Sequence, residues 1–157
     1  MSPAAPPRYA TLVAGTDGSD TSLLAVERAA HTAADSGARL VLVCAYYPAT
    51  GREQAALVSG VLGHHPITER DAEAVLGRAR ERAGTADDEI ALETAAVAAH
   101  PGQALLDVAA DRDADVIVVG DRGLSAVAGH LLGSVPTQVM RQAPCDVLVV
   151  HTTDPGA

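Results

Sequence analysis

The sequence "DVIVVGDRGLSAVAGHLLGSVPTQV", residues Asp115 to Val139, joins an apolar run to a glycine-rich segment and then to a helical pattern. The run that ends at Gly120 is rich in β-branched residues and predicts a buried strand, and the residues after Ser134 predict a helix capped by that serine. Glycines after a strand leave backbone amides open, and the amides and dipole at a helix start favour an anion. The stretch therefore predicts either a loop that binds phosphate or only a turn between strand and helix.

Apolar runs and helical stripes alternate along the rest of the chain. The apolar runs predict strands within Tyr9–Gly15, Ala38–Tyr47, Glu89–Ala99, Asp115–Gly120 and Asp146–Val150. Apolar residues at helical spacing predict helices over Thr21–Ser36, around Ala72 to Ala83, over Pro101–Arg112 and over Ser134–Ala143. Because right-handed crossovers place helices on both sides of a parallel sheet, the alternation predicts an α/β fold with one open, parallel, five-stranded sheet. Such sheets bind ligands at the carboxyl ends of their strands, which here are the ends of the first and fourth strands.

Length and composition restrict the domain organisation. A chain of 157 residues fits a single domain. Residues 1–8, with their prolines, predict a disordered N-terminal tail, residues 153–157 a C-terminal tail, and the long segment 48–67 a mobile or lid segment. Cys44 and Cys145 lie in or beside predicted strands without metal-site spacing, so both are predicted to be reduced core thiols.

The charge distribution argues against several classes of partner. The formal net charge is −9, and all eleven basic residues are arginines. Because no long basic run is present, neither nucleic acid nor an anionic membrane surface is an expected partner. The short sequence "RARER", Arg78 to Arg82, lies in a predicted helix with Glu73 and Glu81 nearby, so it predicts a solvated, ion-paired face. No apolar segment reaches the ~20 residues of a membrane-spanning helix. The N-terminus does not resemble a signal peptide, so we expect a cytoplasmic protein.

The spacing of Gly120, Gly123, Gly133 and Ser134 resembles the ATP-binding motif of the universal stress protein family. The sequence "VAGTDGSDTSLLAVERAA" resembles the first strand and helix of that family, and "APCDVLVV" resembles its last strand. The resemblance implies that residues 9–152 form a universal stress protein domain, adenine nucleotide alpha hydrolase-like, with sheet order 3-2-1-4-5. It also implies a stress-response regulatory protein, often homodimeric, that binds adenine nucleotide without strong catalysis.

The resemblance further implies roles for individual residues. The loop after the first strand and the end of the second strand would contact adenosine, through Gly15, Thr16, Asp17 and Ala45. The end of the fourth strand and the start of the last helix would contact ribose and phosphate, through Val119, Gly120, Gly123, Gly133, Ser134 and Val135. Arg122 is the one cation inside the motif, and we expect it either to contact phosphate or to pair with Asp121 or Asp111.

Two positions depart from the family pattern. Pro136 stands where nucleotide-binding members often carry a hydroxyl residue, and proline has neither a hydroxyl nor an amide hydrogen to donate. Ala99 stands where the family usually has glycine. A donor-poor site on an acidic protein should hold one phosphate more readily than three, and "LLGSVP" with "VLVVHTT" resembles actinobacterial members that bind cyclic AMP. We therefore expect ATP or cyclic AMP as the ligand, cyclic AMP being preferred, and Mg²⁺ only together with ATP.

Two alternatives stand beside this expectation. One is a slow ATPase that uses the same pocket, with Mg²⁺ held by the ATP phosphates and Asp17; the other is a nucleotide-free dimeric interaction module. Because an uncovered apolar edge strand tends to pair, we expect a homodimer through Asp146–Val150. The remaining histidines of interest are predicted to be surface residues (His64, His65, His100) or to lie in the motif near phosphate or a dimer partner (His130).

Overall fold

Strands and helices alternate throughout the computed structural model, which describes residues 8–47, 68–86, 89–122 and 133–152. In chain order the described elements are β1 (Thr11–Gly15), α1 (Asp20–Ser36), β2 (Arg39–Tyr46), α2 (Glu69–Ala86), β3 (Leu92–Ala98), α3 (Pro101–Asp111), β4 (Val116–Gly120), α4 (Ser134–Gln142) and β5 (Asp146–Val150). The strands form one parallel sheet in the order β3-β2-β1-β4-β5. The predicted fold class and strand order are confirmed.

Several sequence predictions concern residues outside these ranges. They are the two tails, of which only Arg8 is described, the segment 48–67, and the motif or loop residues Gly123, His64, His65 and His130. These predictions stay predictions.

Two apolar layers cover the two faces of the sheet. Alternate residues of β1 point to opposite sides: Leu12 packs with α1 and α2, whereas Val13 packs with α3 and α4. Both side chains are fully buried. Because side chains alternate along a strand, a strand covered on both faces is apolar throughout, as the sequence of β1 is. Helices therefore lie on both faces, as predicted.

Helix α1 illustrates how local signals set the boundaries. Its predicted apolar stripe is fully buried, in Val26, Ala29, Ala30 and Ala33. The helix begins at Asp20, one residue earlier than predicted, because the Ser19 hydroxyl accepts the Ser22 amide hydrogen at 3.2 Å and so caps the first turn. It ends at Gly37, whose left-handed φ of 67° is one that glycine adopts without strain.

Helix α2 packs beside α1 and carries the arginine-rich sequence. Its apolar stripe is buried as predicted, in Ala72, Val75, Leu76, Ala79 and Ala83. Arg82 pairs with Glu27 on α1, so this ion pair joins two helices; a partner on another helix was not predicted. Sequence spacing favours partners one turn away, whereas helix packing brought a partner from 55 residues away.

The two cysteines were predicted to be reduced core thiols. Both cysteines are free; Cys44 is buried and Cys145 is half-buried, which agrees with the prediction of core thiols. Burial, with a smaller contribution from the Asp17 carboxylate, raises the pKa of the Cys44 thiol to about 12.

Among the helices that the structure describes, none combines the length and apolar character needed to cross a bilayer.

Candidate functional site

The candidate site lies at the carboxyl edge of the sheet, between β1 and β4. These strands are neighbours, but β1 continues to β2 on one side whereas β4 continues to β5 on the other. At such a switch point the loops turn towards opposite faces and leave a crevice between them. Gly15 ends β1 and Gly120 ends β4, so the two predicted site loops begin side by side.

The loop after β1 is held by its own hydroxyl groups. Thr16 is 7% exposed; its Oγ1 lies 2.8 Å from the Ser22 hydroxyl and accepts the Gly18 amide hydrogen at 3.1 Å. The Thr16 amide donates to the carbonyl of Val43 in β2 at 2.9 Å. The Thr16 hydroxyl is therefore occupied by hydrogen bonds within the protein. Thr16 affects the shape of the site by supporting the loop backbone rather than by offering a free hydroxyl.

Asp17 follows Thr16 in the loop after β1 and is half-buried. One of its oxygens accepts the Ser19 amide hydrogen at 2.9 Å, whereas the other makes no hydrogen bond to any residue in the described ranges. The next residue, Gly18, has a φ of +85°, and a Cβ placed there would lie 3.0 Å from the guanidinium of Arg78. The free carboxylate oxygen is suited to accept a hydrogen bond from a hydroxyl or amino group.

The end of β2 forms another wall of this edge. Ala45 is half-buried and pairs in register with Val97 of β3. Just beyond it, the ring of Tyr47 meets the ring of His100 edge to face, with centroids 5.1 Å apart. His100 is exposed, as predicted, but this ring contact was not predicted because the residues follow different strands. Burial raises the pKa of the Tyr47 phenol.

The end of β4 offers backbone rather than side chains. Val119 is 3% exposed and packs into the layer beneath α3 and α4, so its side chain cannot reach a ligand. A Cβ on Gly120 would lie 3.1 Å from Cγ2 of Thr152, and one on Gly15 would lie 3.0 Å from Leu105. A side chain at either glycine would therefore have to displace a neighbouring side chain of the protein.

Asp121 follows Gly120 and is the most connected polar residue of the site. Its Oδ1 accepts the Thr152 amide hydrogen at 3.0 Å and the Thr152 hydroxyl at 2.6 Å, and its Oδ2 lies 3.1 Å from Nδ1 of His151. Partial burial raises the pKa of the Asp121 carboxyl, but the donors of Thr152 and the nearby His151 outweigh burial and hold the pKa below its usual value. Asp121 is thus a charged, anchored carboxylate.

Arg122 follows Asp121 and ends the described residues after β4. It forms no ion pair with a described residue, so neither predicted carboxylate partner holds it: Asp121 bonds to Thr152 and His151, and Asp111 pairs with Arg112 at 3.3 Å. Those alternatives for Arg122 were wrong because both carboxylates have nearer donors. Contact with phosphate stays a prediction.

Helix α4 begins with few available donors. Gly133 is the N-cap, in place of the predicted Ser134, because its carbonyl accepts the Thr137 amide at 3.2 Å. The Gly133 amide, which was expected to face phosphate, donates to the Asp121 carbonyl at 3.0 Å. The amides of Ser134 and Val135 have no hydrogen-bond acceptor in the described ranges, and the next residue is the buried Pro136. Two amides and the exposed Ser134 hydroxyl remain for an anion.

Sequence reasoning missed two features of this edge. Thr152 was quoted only within a family-like ending, and its bond to Asp121 spans 31 residues. Arg78 is exposed, as predicted, but the approach of its guanidinium to Gly18 in the loop after β1 was not predicted. Among the described residues no three His, Cys, Asp or Glu side chains group together as metal ligands. For Mg²⁺ this part of the chain offers single carboxylates such as Asp17.

Comparisons with known proteins agree with this architecture. Residues 8–151 match the Universal stress protein family. Universal stress protein Rv1636 of Mycobacterium tuberculosis is 45% identical over 150 residues, covering 92% of this chain and 98% of the relative. A crystal structure of a universal stress protein in complex with cAMP is 42% identical, with a TM-score of 0.70 and coverage of 93% of this chain and 99% of the other.

A more distant structure shares the fold alone. The universal stress protein from Archaeoglobus fulgidus, solved in complex with dAMP, is 22% identical with a TM-score of 0.64 and covers 90% of this chain and 97% of its own. The family match covers nearly all the described residues, including β1, β4 and the start of α4. This chain belongs to the universal stress protein family.

Proposed function

We propose that this chain binds an adenine nucleotide at the carboxyl edge of its sheet and prefers cyclic AMP to ATP. It would act in the cytoplasm as a stress-response sensor or buffer rather than as an enzyme. The observation that carries the proposal is the start of α4, where two amides and one hydroxyl are available and Pro136 removes a further amide. A relative 42% identical, solved in complex with cAMP, supports the choice of ligand.

The strand ends provide a row of contacts in the order that a nucleotide needs. The ends of β2, β1 and β4 are adjacent, so they span about 10 Å. Ala45 and Asp17 stand at the first two, where backbone groups and a carboxylate oxygen are suited to the base and the ribose. Ser134 and Val135 stand beyond the third, where amides are suited to phosphate.

The preference for cyclic AMP follows from charge and donor number. The chain carries a formal net charge of −9, and two of its carboxylates, those of Asp17 and Asp121, lie at this edge of the sheet. A cyclic monophosphate brings one negative charge, whereas a triphosphate brings several that would need cations or further donors. Arg122 is the one arginine between Gly120 and Val135. A single charge therefore fits this edge better.

Titration calorimetry with cyclic AMP, ATP and ATP with Mg²⁺ tests the proposal. We expect cyclic AMP to bind about tenfold more tightly than ATP, a difference of about 1.4 kcal/mol. Asp17→Asn and Ser134→Ala should weaken binding, whereas Gln103→Ala, on the exposed face of α3, should not. ATP binding more tightly than cyclic AMP would reject the preference. Absence of binding by all three ligands would reject the proposal in favour of a nucleotide-free module.

Hydrolysis and assembly complete the proposal. We expect ATP turnover far below the range of dedicated enzymes, which is about 1 per second or faster. A rate in that range would favour the ATPase alternative.

We also propose a homodimer through β5, which is an edge strand in the described sheet and has half-buried apolar side chains at Val147, Leu148 and Val149. An unpaired edge of this kind is a template for a second copy.

A further inference from the structure

Asp121 joins three separate segments of the chain at the proposed phosphate-binding half of the site. Its carboxylate accepts hydrogen bonds from the amide and the hydroxyl of Thr152, which follows β5. Its amide donates to the carbonyl of Val150 at 2.9 Å, and its carbonyl accepts the Gly133 amide at 3.0 Å. The residue after β4, the cap of α4 and the end of β5 are therefore tied through one residue.

Thr152 is fixed on its other side by Gly120. It is 3% exposed, and its Cγ2 would lie 3.1 Å from a Cβ on Gly120. Among the described glycines only Gly18 and Gly37 have a positive φ, so the backbone conformation of Gly120 does not itself require glycine. The space left by the missing side chain is filled by the Thr152 methyl group. The first glycine of the motif therefore has a partner inside the chain.

We propose that Asp121 and Thr152 are positioning residues for phosphate binding, a role that rests on the proposed function. Thr152 holds the Asp121 carboxylate, and Asp121 in turn holds the cap of α4 through the Gly133 amide. This chain of bonds sets where the free amides of Ser134 and Val135 lie relative to the end of β4. The residues after β5 thus become part of the nucleotide site without touching the nucleotide.

His151 contributes little to this arrangement. Its side chain is 77% exposed, and the Asp121 oxygen that it approaches is not the one that binds Thr152. Exposed ion pairs of this kind have small effects because water screens them. The buried hydroxyl of Thr152 is therefore the group to change, and the bond it makes is between a hydroxyl and a charged oxygen, which is among the stronger kinds.

A matched pair of variants, Thr152→Val and Thr152→Ser, tests the proposal. Valine keeps the shape and removes the hydroxyl, whereas serine keeps the hydroxyl. Calorimetry would compare cyclic AMP with adenosine, which has no phosphate. We expect Thr152→Val to weaken cyclic AMP binding about tenfold while adenosine binding changes less than about twofold, and Thr152→Ser to bind both like the wild type. Gln103→Ala again serves as the unrelated control, and thermal unfolding of each variant checks that it is folded.

A second pair keeps the test informative if Thr152→Val does not fold. Gly120→Ala places a methyl group against Cγ2 of Thr152, and Gly120→Ala with Thr152→Ser removes that contact while keeping the hydroxyl. We expect Gly120→Ala to weaken cyclic AMP binding about tenfold and the double variant to recover most of it. No recovery would mean that Gly120 serves the ligand directly, and it would overturn the proposal.

The outcomes separate this inference from the proposed function. If the wild type binds neither cyclic AMP nor ATP, both fail. If the wild type binds cyclic AMP and Thr152→Val binds it equally well, only the positioning role fails. An equal loss of adenosine and cyclic AMP binding in Thr152→Val would also overturn it, because a role in placing the phosphate donors should spare a ligand that lacks phosphate.

Discussion

The hydroxyl oxygens of Thr16 and Ser22 lie 2.8 Å apart, and this bond joins the end of β1 to the first turn of α1. The same Thr16 oxygen accepts the amide hydrogen of Gly18 at 3.1 Å, so one buried hydroxyl supports the whole turn that presents Asp17. A loop held in this way keeps its shape before any ligand arrives, which lowers the entropy lost on binding.

Replacement of Thr16 by valine should therefore cost both stability and affinity. Thr16→Val keeps the shape but leaves the Gly18 amide without its acceptor, and we expect a loss of about 1–3 kcal/mol in the free energy of unfolding. Urea denaturation provides the measurement. Thr32→Val is the matched control, since the Thr32 hydroxyl bonds to the Arg28 carbonyl on the outer side of α1. Equal losses in the two variants would contradict the role given to Thr16.

Asp121 should make stability depend on pH in the acid range. Its pKa is lower in the folded chain than in the unfolded chain, because the Thr152 donors and His151 outweigh partial burial. The stabilisation is therefore fully present above the unfolded value of about 3.9 and is lost as the pH falls through the folded value. The free energy of unfolding of the wild type minus that of Asp121→Asn should be constant above about pH 5 and should shrink below about pH 4.

Denaturant titrations from neutral to acid pH measure this difference. Asp35→Asn, at an exposed position of α1 whose carboxylate has no hydrogen bond to a described residue, controls for the change of net charge alone. A difference between wild type and Asp121→Asn that stays constant down to about pH 3 would show that the charge of Asp121 is not what stabilises the fold.

Pro136 offers a test of the ligand preference by gain of function. Pro136→Thr restores an amide hydrogen in the first turn of α4, so it should strengthen ATP binding about tenfold and change cyclic AMP binding less. Calorimetry of both ligands is the measurement. Pro101→Thr makes the same replacement in the first turn of α3 and should change neither affinity. Unchanged ATP binding in Pro136→Thr would show that donors at this position do not limit the site.

The β5 edge should determine the oligomeric state. We expect a dimer at micromolar concentration by light scattering after gel filtration, and Val149→Lys should make it monomeric because lysine on an edge strand opposes pairing. Leu24→Lys, at a 41% exposed position on α1, is the control for adding a lysine to an apolar site. Circular dichroism checks the fold of both variants. A monomeric wild type would contradict the proposed interface.

The pattern of apolar residues along the sequence predicts most of the helices and strands. The stripe of Val26, Ala29 and Ala33 in α1 and the continuous apolar run of β1 were readable because periodicity depends on neighbouring residues only. Helix ends were less accurate: Ser19 and Gly133 each shifted a predicted start or cap by one residue, because capping depends on which group reaches an amide. Strand order came from resemblance to a family rather than from local pattern.

The polar contacts of the site were mostly beyond the reach of sequence. Glycine spacing placed Gly120 and Gly133 correctly at the strand end and the helix start. It could not show that Thr152 fills the space over Gly120, or that Arg78 lies against Gly18, because these contacts depend on how distant elements pack. The same reason explains why the Gly133 amide was assigned to a ligand when a carbonyl of the chain accepts it.

The position of Tyr47, whose ring contacts that of His100 beyond the end of β2, gives this edge a spectroscopic property. The chain has three tyrosines and no tryptophan or phenylalanine, so its ultraviolet emission comes from tyrosine alone. Tyr46 and Tyr47 stand at the carboxyl end of β2, whereas Tyr9 bonds to Asp146 near the opposite end of the sheet. Two of the three intrinsic fluorophores therefore lie beside the proposed base-binding wall, and we expect nucleotide binding there to change the tyrosine fluorescence without any attached dye.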